Sequence, residues 1–362
     1  MNKNNTRFYE IDFLRFVAAV AVVLFHYMFR GFAEGGYSPI SYAPFDQYAQ
    51  YGYLGVHLFF MISGFVILLT AMKRDVVQFV ISRIVRLYPA FWAGVTFTAI
   101  MIVFFGDEIF TVSLPQYLSN LSMIDGYLGV EPVDGVYWTL LVEIKFYALI
   151  FIILLFKEIE KIEWFLAGWL ALQVIDVFAP LPTLVKFIFF PEWGSYFASG
   201  ALFYLLKLRG IKWQYLALLG SSFALSLYHA NNETAILSEF YNAAFNPLVP
   251  MFFVSLFYLI FTLVILNKLT LFRSTWVLKI GALTYPLYLI HQNVGFMLFK
   301  LFDGVINKYI LLLGVFTFVL IVAWLIHNLV EKNLSLVLKN LLNKLEYKVK
   351  ALLNRGVLKK ET

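Results

Sequence analysis

Residues 11–29 read IDFLRFVAAVAVVLFHYMF, an apolar run that contains Arg15 and His26. Its length is close to the roughly 20 residues that a helix needs to cross the hydrocarbon core of a bilayer. Eleven positions separate the two polar residues, about three helical turns, so both side chains project from nearly the same face, ~16 Å apart along the axis. Ionisable groups inside a membrane helix are energetically costly, so this pair is a candidate for function.

The composition of the chain requires a membrane environment. Of its 362 residues 61% are hydrophobic and 14% are charged, and the mean hydropathy is +0.79. A soluble protein has too little interior to bury that much apolar surface. The chain has no cysteine, which excludes disulfides, thiolate nucleophiles and cysteine-ligated metals.

Apolar segments of spanning length recur along the whole chain. They predict an all-α, polytopic membrane helix bundle with about ten transmembrane helices. The predicted spans are residues 11–29, 52–72, 87–105, 137–156, 162–180, 193–207, 212–229, 247–267, 281–299 and 309–330.

The distribution of Lys and Arg predicts the orientation of this bundle. With a cytoplasmic N-terminus, 22 of the 28 basic residues fall on the inner side, including Lys3, Arg7 and Arg273, and four fall on the outer side. Both termini are therefore predicted to be cytoplasmic. Because most of the basic residues fall on the predicted inner side, membrane orientation accounts for the net charge of +6, and no nucleic-acid partner is expected.

The chain divides into a transmembrane domain, residues 1–332, and a basic tail, residues 333–362. From Leu334 the tail alternates apolar and basic residues at helical spacing. This pattern predicts an amphipathic helix that lies on the anionic inner leaflet.

Three titratable residues are predicted at similar depth, namely His26, Glu143 and His291. A neutral imidazole is a natural general base near neutral pH, and a carboxylate can orient it. The alternative for a single membrane histidine is a hydrogen bond to a neighbouring helix. Lys145 is as compatible with a structural role as with a functional one, and His57, His229 and His327 are interpreted as interfacial residues.

The segment FVISRIVRLYP, residues 79–89, places Arg83 and Arg86 one helical turn apart at the inner end of a span. Positive-inside bias explains two or three such bases. Guanidinium groups on one face also suit phosphates, and Arg15 is predicted at the same level, so a phosphorylated cytosolic cofactor is expected to dock here. The sequence contains no glycine-rich phosphate loop, metal-ligand spacing or nucleophile elbow, and no metal is expected.

These motifs, in this order, resemble the acyltransferase-3 family of bacterial membrane O-acyltransferases. The motifs are Arg15 with ten residues before His26, GVHLFFMISGF at 55–65, Arg83-x-x-Arg86 before Tyr88-Pro89, WTLLVEIKFY at 138–147 and TYPLYLIHQ at 284–292. The likeness covers about residues 9–331.

The sequence departs from the family pattern at four positions. Phe16 replaces the usual glycine, His57 an aspartate, and Ile144 and Lys145 a Glu and a Gln. The residues that match the pattern are Arg15, His26, Ser63, Arg83, Arg86, Trp138, Glu143 and His291.

The resemblance implies transfer of an acyl group, most often acetyl, from cytoplasmic acyl-CoA to a hydroxyl of an extracytoplasmic or lipid-linked glycan, such as O-antigen, capsule, exopolysaccharide or peptidoglycan. It implies a location in the bacterial cytoplasmic membrane.

A mechanism follows as a hypothesis. Arg15, Arg83 and Arg86 bind the CoA phosphates, and His26, supported by Glu143, deprotonates the acceptor hydroxyl or is itself acylated. Trp138, His291, Ser63 and Tyr147 are expected to support the pore. Ser63 is also an alternative intermediate nucleophile, although its position next to Gly64 favours close helix packing. The rivals are a secondary transporter or flippase for an envelope precursor and a non-catalytic sensor or scaffold. The oligomeric state and the acceptor are not predicted.

Overall fold

A computed structural model describes residues 8–269 and 274–358, with side chains up to residue 352. Within these ranges every regular element is helical, which confirms the all-α prediction. The helices of seven or more residues are α1 Tyr9–Phe25, α2 Leu54–Ala71, α3 Val76–Phe105, α4 Leu114–Asn120, α5 Trp138–Leu155, α6 Ile162–Phe178, α7 Thr183–Phe189, α8 Pro191–Arg209, α9 Trp213–Tyr241, α10 Leu248–Ile265, α11 Thr275–Phe302, α12 Lys308–Leu325 and α13 Lys332–Leu358. Lys3, Arg7 and Arg273, which the predicted orientation uses, lie outside the described residues.

Six helical segments in the described part of the chain are long and apolar enough to cross a membrane. They are Tyr9–Ala33, Asp46–Ala71, Val76–Phe105, Gly135–Leu155, Leu248–Ile265 and Lys308–Leu352. The other four predicted spans fall on α6, α8, α9 and α11, which are helical but are not among these six. The count of about ten spans and the side of the termini therefore stay predictions.

Helix α3 begins 11 residues before the predicted span at 87–105, because Asp75 caps it. The Asp75 carboxylate accepts from the Gln78 N–H at 2.8 Å, which satisfies a donor of the first turn. Pro89 lies inside the helix and has no N–H to offer the carbonyl of Val85. The Ser335 hydroxyl donates to that carbonyl at 3.1 Å, so the start of α13 fills the gap that the proline leaves in α3.

Helix α2 packs closely on α8 through two glycines. A methyl group at Gly64 would overlap the carbonyl oxygen of Phe197, and one at Gly200 would overlap that of Met61. Small residues at such crossings let helix backbones approach, as the sequence predicted for the segment around Ser63. The close contact fixes the face on which α2 presents Ser63 to the site.

The segment between α3 and α5 folds back along α3. The Tyr88 hydroxyl donates to the Ser122 carbonyl at 2.9 Å, and the Trp92 indole donates to the Leu121 carbonyl at 2.9 Å. Inside the segment, the Asn120 side chain accepts from the Val133 N–H at 2.8 Å. These bonds hold residues 121–137 next to α11, where the candidate site is located.

Candidate active site

His26 lies where α1 changes its winding. A five-residue π-helical turn, His26–Arg30, continues α1 without a break. Such turns widen the helix locally and are frequent at functional sites. The His26 ring is 5% exposed, and His291 of α11 is fully buried. The His26 Nδ1 and the His291 Nε2 are 3.2 Å apart, so these two histidines, predicted at similar depth, lie side by side in the structure.

The partners of the two rings determine where their protons lie. A carbonyl oxygen only accepts, so the His26 Nδ1, 2.8 Å from the Val22 carbonyl, carries the proton and donates it. The His291 Nδ1, 2.8 Å from the Tyr288 carbonyl, is a donor for the same reason. The His291 Nε2 then faces the His26 Nδ1–H as an acceptor. Of the four ring nitrogens, only the His26 Nε2 has a lone pair that points away from the other histidine.

Arg30 occupies that lone pair from the end of the π-helical turn. Its Nη1 is 3.3 Å from the His26 Nε2 and donates to the Gln292 Oε1 at 3.2 Å. A guanidinium only donates, so the His26 Nε2 accepts, in agreement with a proton on Nδ1. The Glu34 carboxylate binds the other nitrogens of Arg30. Arg30 is one of the four basic residues that the predicted orientation places on the outer side, and its spacing of four residues from His26 puts both on one helix face.

A strap of hydrogen bonds fixes α11 beside the histidines. The buried Asp134 carboxylate accepts from the backbone N–H of Asn293 at 3.0 Å, and the Asn293 side chain donates to the Val133 carbonyl at 3.0 Å. The Tyr137 hydroxyl donates to the Leu289 carbonyl at 3.2 Å. Burial raises the pKa of Asp134 to about 7, although two backbone N–H groups oppose the shift. No sequence motif marked Asp134, because its partner lies 159 positions away.

A cavity of about 100 Å³ gathers the predicted arginines. Its charged lining residues are Arg15, Arg83, Arg86 and Glu143, and its hydroxyl-bearing lining residues are Ser63, Thr139, Tyr147, Thr284, Tyr285 and Tyr288. Three cations and one carboxylate make the cavity suited to an anion. Among the described residues, the buried hydroxyls of Thr284 and Tyr285 have no hydrogen-bond partner, which is uncommon unless a water or ligand completes the site.

Glu143 belongs to this cavity and does not contact His26. Its Oε1 accepts from the Ser63 hydroxyl at 2.9 Å and from the Tyr147 hydroxyl at 2.7 Å. The hypothesis that Glu143 supports His26 therefore has no contact behind it in this structure. The residue that does contact the His26 ring on α11 is His291. Depth along the helices placed the three residues at similar levels, but depth alone does not say which faces meet.

Two of the arginines already have acidic neighbours. The Arg86 Nη1 is 2.7 Å from the Glu331 Oε1, and the other Glu331 oxygen is 2.7 Å from the His327 Nδ1. The Arg15 Nη1 is 3.7 Å from the Asp12 carboxylate. His327, interpreted from the sequence as interfacial, thus contacts Glu331, which in turn contacts Arg86.

Tyr288 separates the cavity from the histidines. Its ring lines the cavity, and the centre of that ring is 5.6 Å from that of His291. Its hydroxyl bonds the Thr139 hydroxyl at 2.7 Å and donates to the Val136 carbonyl at 3.2 Å. Tyr288 therefore contacts both the cavity and the histidine pair.

Three further residues lie apart from both places. Trp138 packs against Trp193 with the two rings tilted at 46° and their centres 5.4 Å apart. His57 is buried rather than interfacial, and its Nε2 is 2.7 Å from a carboxylate oxygen of Glu233. The Lys145 ammonium lies over the Phe187 ring at 4.3 Å, a structural contact. None of the three lines the arginine cavity.

Comparison with known proteins gives two relatives and one family. A family model described as an acyltransferase domain matches residues 8–328. The peptidoglycan O-acetyltransferase OatA of Listeria monocytogenes is 29% identical over 158 residues, which are 38% of this chain and 22% of the relative. The putative peptidoglycan O-acetyltransferase YrhL of Bacillus subtilis is 28% identical over 157 residues, with the same shares. The match thus covers about a fifth of each relative's length. No solved structure matches the chain.

Proposed function

Since the chain belongs to the acyltransferase-3 family, whose model matches residues 8–328, we propose that it moves an acyl group from acyl-CoA to a hydroxyl of a glycan or lipid-linked saccharide. The observation that carries the proposal is the pairing of a three-arginine cavity with a histidine pair, joined at Tyr288. The acyl group is acetyl in the first instance, because both relatives are named O-acetyltransferases.

The donor enters from the cytosol in this proposal. The chain has about ten spans with both termini cytoplasmic, in the bacterial cytoplasmic membrane, so α3 begins at the inner face and the arginines open toward the acyl-CoA pool. The cavity is small, about 100 Å³, which suits part of the extended pantetheine arm rather than the nucleotide. Arg83 and Arg86 then bind the phosphates at its mouth, and Arg15 binds deeper on α1.

The thioester reaches His26 when Tyr288 turns aside. The His26 Nε2 lone pair accepts the proton of the acceptor hydroxyl as that oxygen attacks the acyl carbon. A route through acylated His26 uses the same nitrogen and stays open. The Val22 carbonyl and the His291 Nε2 both accept from the His26 Nδ1–H, which keeps the proton on Nδ1 and the lone pair on Nε2.

Glu143 is proposed to act on the donor side. Its carboxylate offsets part of the arginine charge, and Ser63 and Tyr147 hold it in place. Trp138 does not line the cavity and is proposed to support the first turn of α5 through its contact with Trp193. No step requires a metal.

The acceptor is proposed to be an envelope glycan on the outer side. Peptidoglycan is the first glycan to test, because it appears in the names of both relatives. O-antigen, capsule and exopolysaccharide are the other candidates.

The proposal is tested with purified protein, radiolabelled acetyl-CoA and soluble peptidoglycan fragments. We expect label in the fragments. In Arg86→Ala, we expect the apparent Kd for acetyl-CoA to rise about 10- to 100-fold, because a charge-assisted hydrogen bond contributes about 1.5–3 kcal/mol. The glycan KM should stay unchanged.

Arg74→Ala is the matched control, since Arg74 is a nearby arginine that does not line the cavity. Movement of a glycan precursor across vesicles without covalent label would contradict the enzyme and support a carrier. An unchanged acetyl-CoA affinity in Arg86→Ala would contradict the docking site.

A further inference from the structure

Arg30 is a cation in an unusual place. It lies four residues beyond His26, on the same face, and its side chain is only about one-fifth exposed. A buried arginine in a membrane helix needs partners, and this one has Glu34, Gln292 and the lone pair of His26. The first two would satisfy it on structural grounds. The third places a guanidinium N–H at the atom where the proposed proton transfer takes place.

The partners of Gln292 show that this orientation is fixed. The Gln292 Nε2 donates to the Asn293 Oδ1 at 3.1 Å, which leaves its Oε1 to accept from Arg30. Asn293 is itself bound to Val133 and Asp134. The strap of residues 133–137 thus holds Gln292 in place through Asn293. Gln292 and Glu34 in turn bind Arg30, and this orients the Arg30 Nη1 toward the His26 Nε2.

We infer that Arg30 is a catalytic residue of the transfer: its guanidinium yields the His26 Nε2 to the acceptor hydroxyl and then donates to the oxyanion of the tetrahedral intermediate. This inference rests on the proposed function and adds to it the group that stabilises the charge developed in the reaction. Fixed donors aimed at a developing oxyanion are among the largest contributions to acyl transfer.

The step balances as follows. The acceptor O–H gives its proton to the His26 Nε2 while its oxygen forms a bond to the acyl carbon, and the carbonyl electron pair moves onto oxygen. The Arg30 Nη1–H donates to that oxygen. Collapse restores the C=O bond and breaks the C–S bond, and the departing thiolate takes the proton from the His26 Nε2. Arg30 keeps its charge and its protons throughout.

Position on the helix explains why Arg30 and not one of the cavity arginines has this role. Arg15, Arg83 and Arg86 line the cavity beyond Tyr288, and His26 does not line it. Arg30 has its guanidinium 3.3 Å from the reacting nitrogen. A substrate hydroxyl that binds the His26 Nε2 has to take the place of this N–H, which brings the reacting carbonyl next to the guanidinium.

The experiment uses the full chain in nanodiscs, acetyl-CoA and soluble peptidoglycan fragments, with label in the fragments and release of CoA thiol as readouts. For Arg30→Ala we expect kcat to fall by about 10²- to 10³-fold with the KM for acetyl-CoA unchanged, the range for loss of an oxyanion donor. Added guanidinium ion should restore part of the rate. Arg30→Lys should keep the fold and lose at least about 10-fold, because an ammonium lacks the planar fork.

Arg209→Ala is the matched control, because Arg209 also binds an acidic partner, with Nη1 2.8 Å from the Glu163 Oε2, away from both histidines. It should retain the wild-type kcat, and guanidinium should not change its rate. A wild-type kcat in Arg30→Lys, or an equal loss in Arg30→Ala and Arg209→Ala, would overturn the role of Arg30. Absence of labelled fragments and of thiol release with the wild type would instead overturn the proposed function, and the inference with it.

Discussion

At the residue scale, the hydrogen-bond partners of His26 determine which of its ring nitrogens carries the proton. A carbonyl can only accept and a guanidinium can only donate. The Val22 carbonyl accepts a hydrogen bond from the His26 Nδ1–H, the Arg30 Nη1 donates to the His26 Nε2, and the His291 Nε2 lies 3.2 Å from the His26 Nδ1. The general-base assignment thus rests on groups that have no protonation choice of their own, a carbonyl and a guanidinium. The predicted partner, Glu143, acts elsewhere, in the arginine cavity.

Asp134 provides a pH-dependent test of the strap. Its pKa is raised to about 7 by burial, above the ordinary value of 3.8. The native state therefore binds this proton more tightly than the unfolded state does. Between about pH 4 and 7 the contribution of Asp134 to stability falls as pH rises, by at most about 1.4 kcal/mol per pH unit, and it is constant above pH 7.

Asp134→Asn removes this group from the titration, so we expect the variant to lose that downward slope while the rest of the pH profile keeps its shape. Thermal unfolding in detergent from pH 4.5 to 8 measures it. Asp46→Asn, at a half-buried position outside the strap, is the control and should follow the wild type. Parallel wild-type and Asp134→Asn profiles over this range would refute the raised pKa.

At the element scale, the helices bring together residues from distant motifs by close backbone contact. Gly64 and Gly200 let α2 and α8 touch, and the same crossing orients Ser63 toward Glu143. The sequence predicted the all-α fold and this small-residue packing correctly, because apolar periodicity and glycine both act locally. It missed the extension of α3 to Val76, because the Asp75 cap lies in a polar stretch outside the span.

Gly64→Val tests the α2–α8 contact. The added side chain would overlap the Phe197 carbonyl, so either α2 and α8 move apart or the backbone there is distorted. We expect the free energy of unfolding to fall by about 1–3 kcal/mol or more. We expect a lower thermal unfolding midpoint and reduced activity. Gly168→Ala is the control, since a methyl group there meets no atom within 4 Å, and it should be neutral or slightly stabilising. A midpoint of Gly64→Val equal to that of Gly168→Ala would refute the close contact.

At the scale of the whole molecule, the site is a sequence of three places: the arginine cavity, Tyr288, and the histidines with Arg30. The family motifs identified from the sequence contain the arginines and both histidines. They do not contain Asp134 or Glu331, and Arg30 falls just past the Arg15–His26 motif. These residues act through contacts between segments more than 100 positions apart, or, for Arg30, through a turn of helix that the motif does not include.

Arg15 and His26, the two polar residues of the first helix, lie at different places along the proposed transfer path. Arg15 lines the cavity and His26 lies past Tyr288, so the two residues mark the two ends of the proposed transfer path. Their separation along one helix face is a property that the sequence alone predicts. The position of Tyr288 between the cavity and His291 is a property of the folded bundle.

If His26 carries out the transfer, the O-acyl content of the envelope glycans depends on this residue. In a strain that lacks the gene, mass spectrometry should show the loss of one O-acyl group. The wild-type chain and His229→Ala, a control histidine away from the site, should restore that group, and His26→Ala, expressed and inserted at the same level, should leave it absent. Restoration by His26→Ala to the wild-type level would contradict the account.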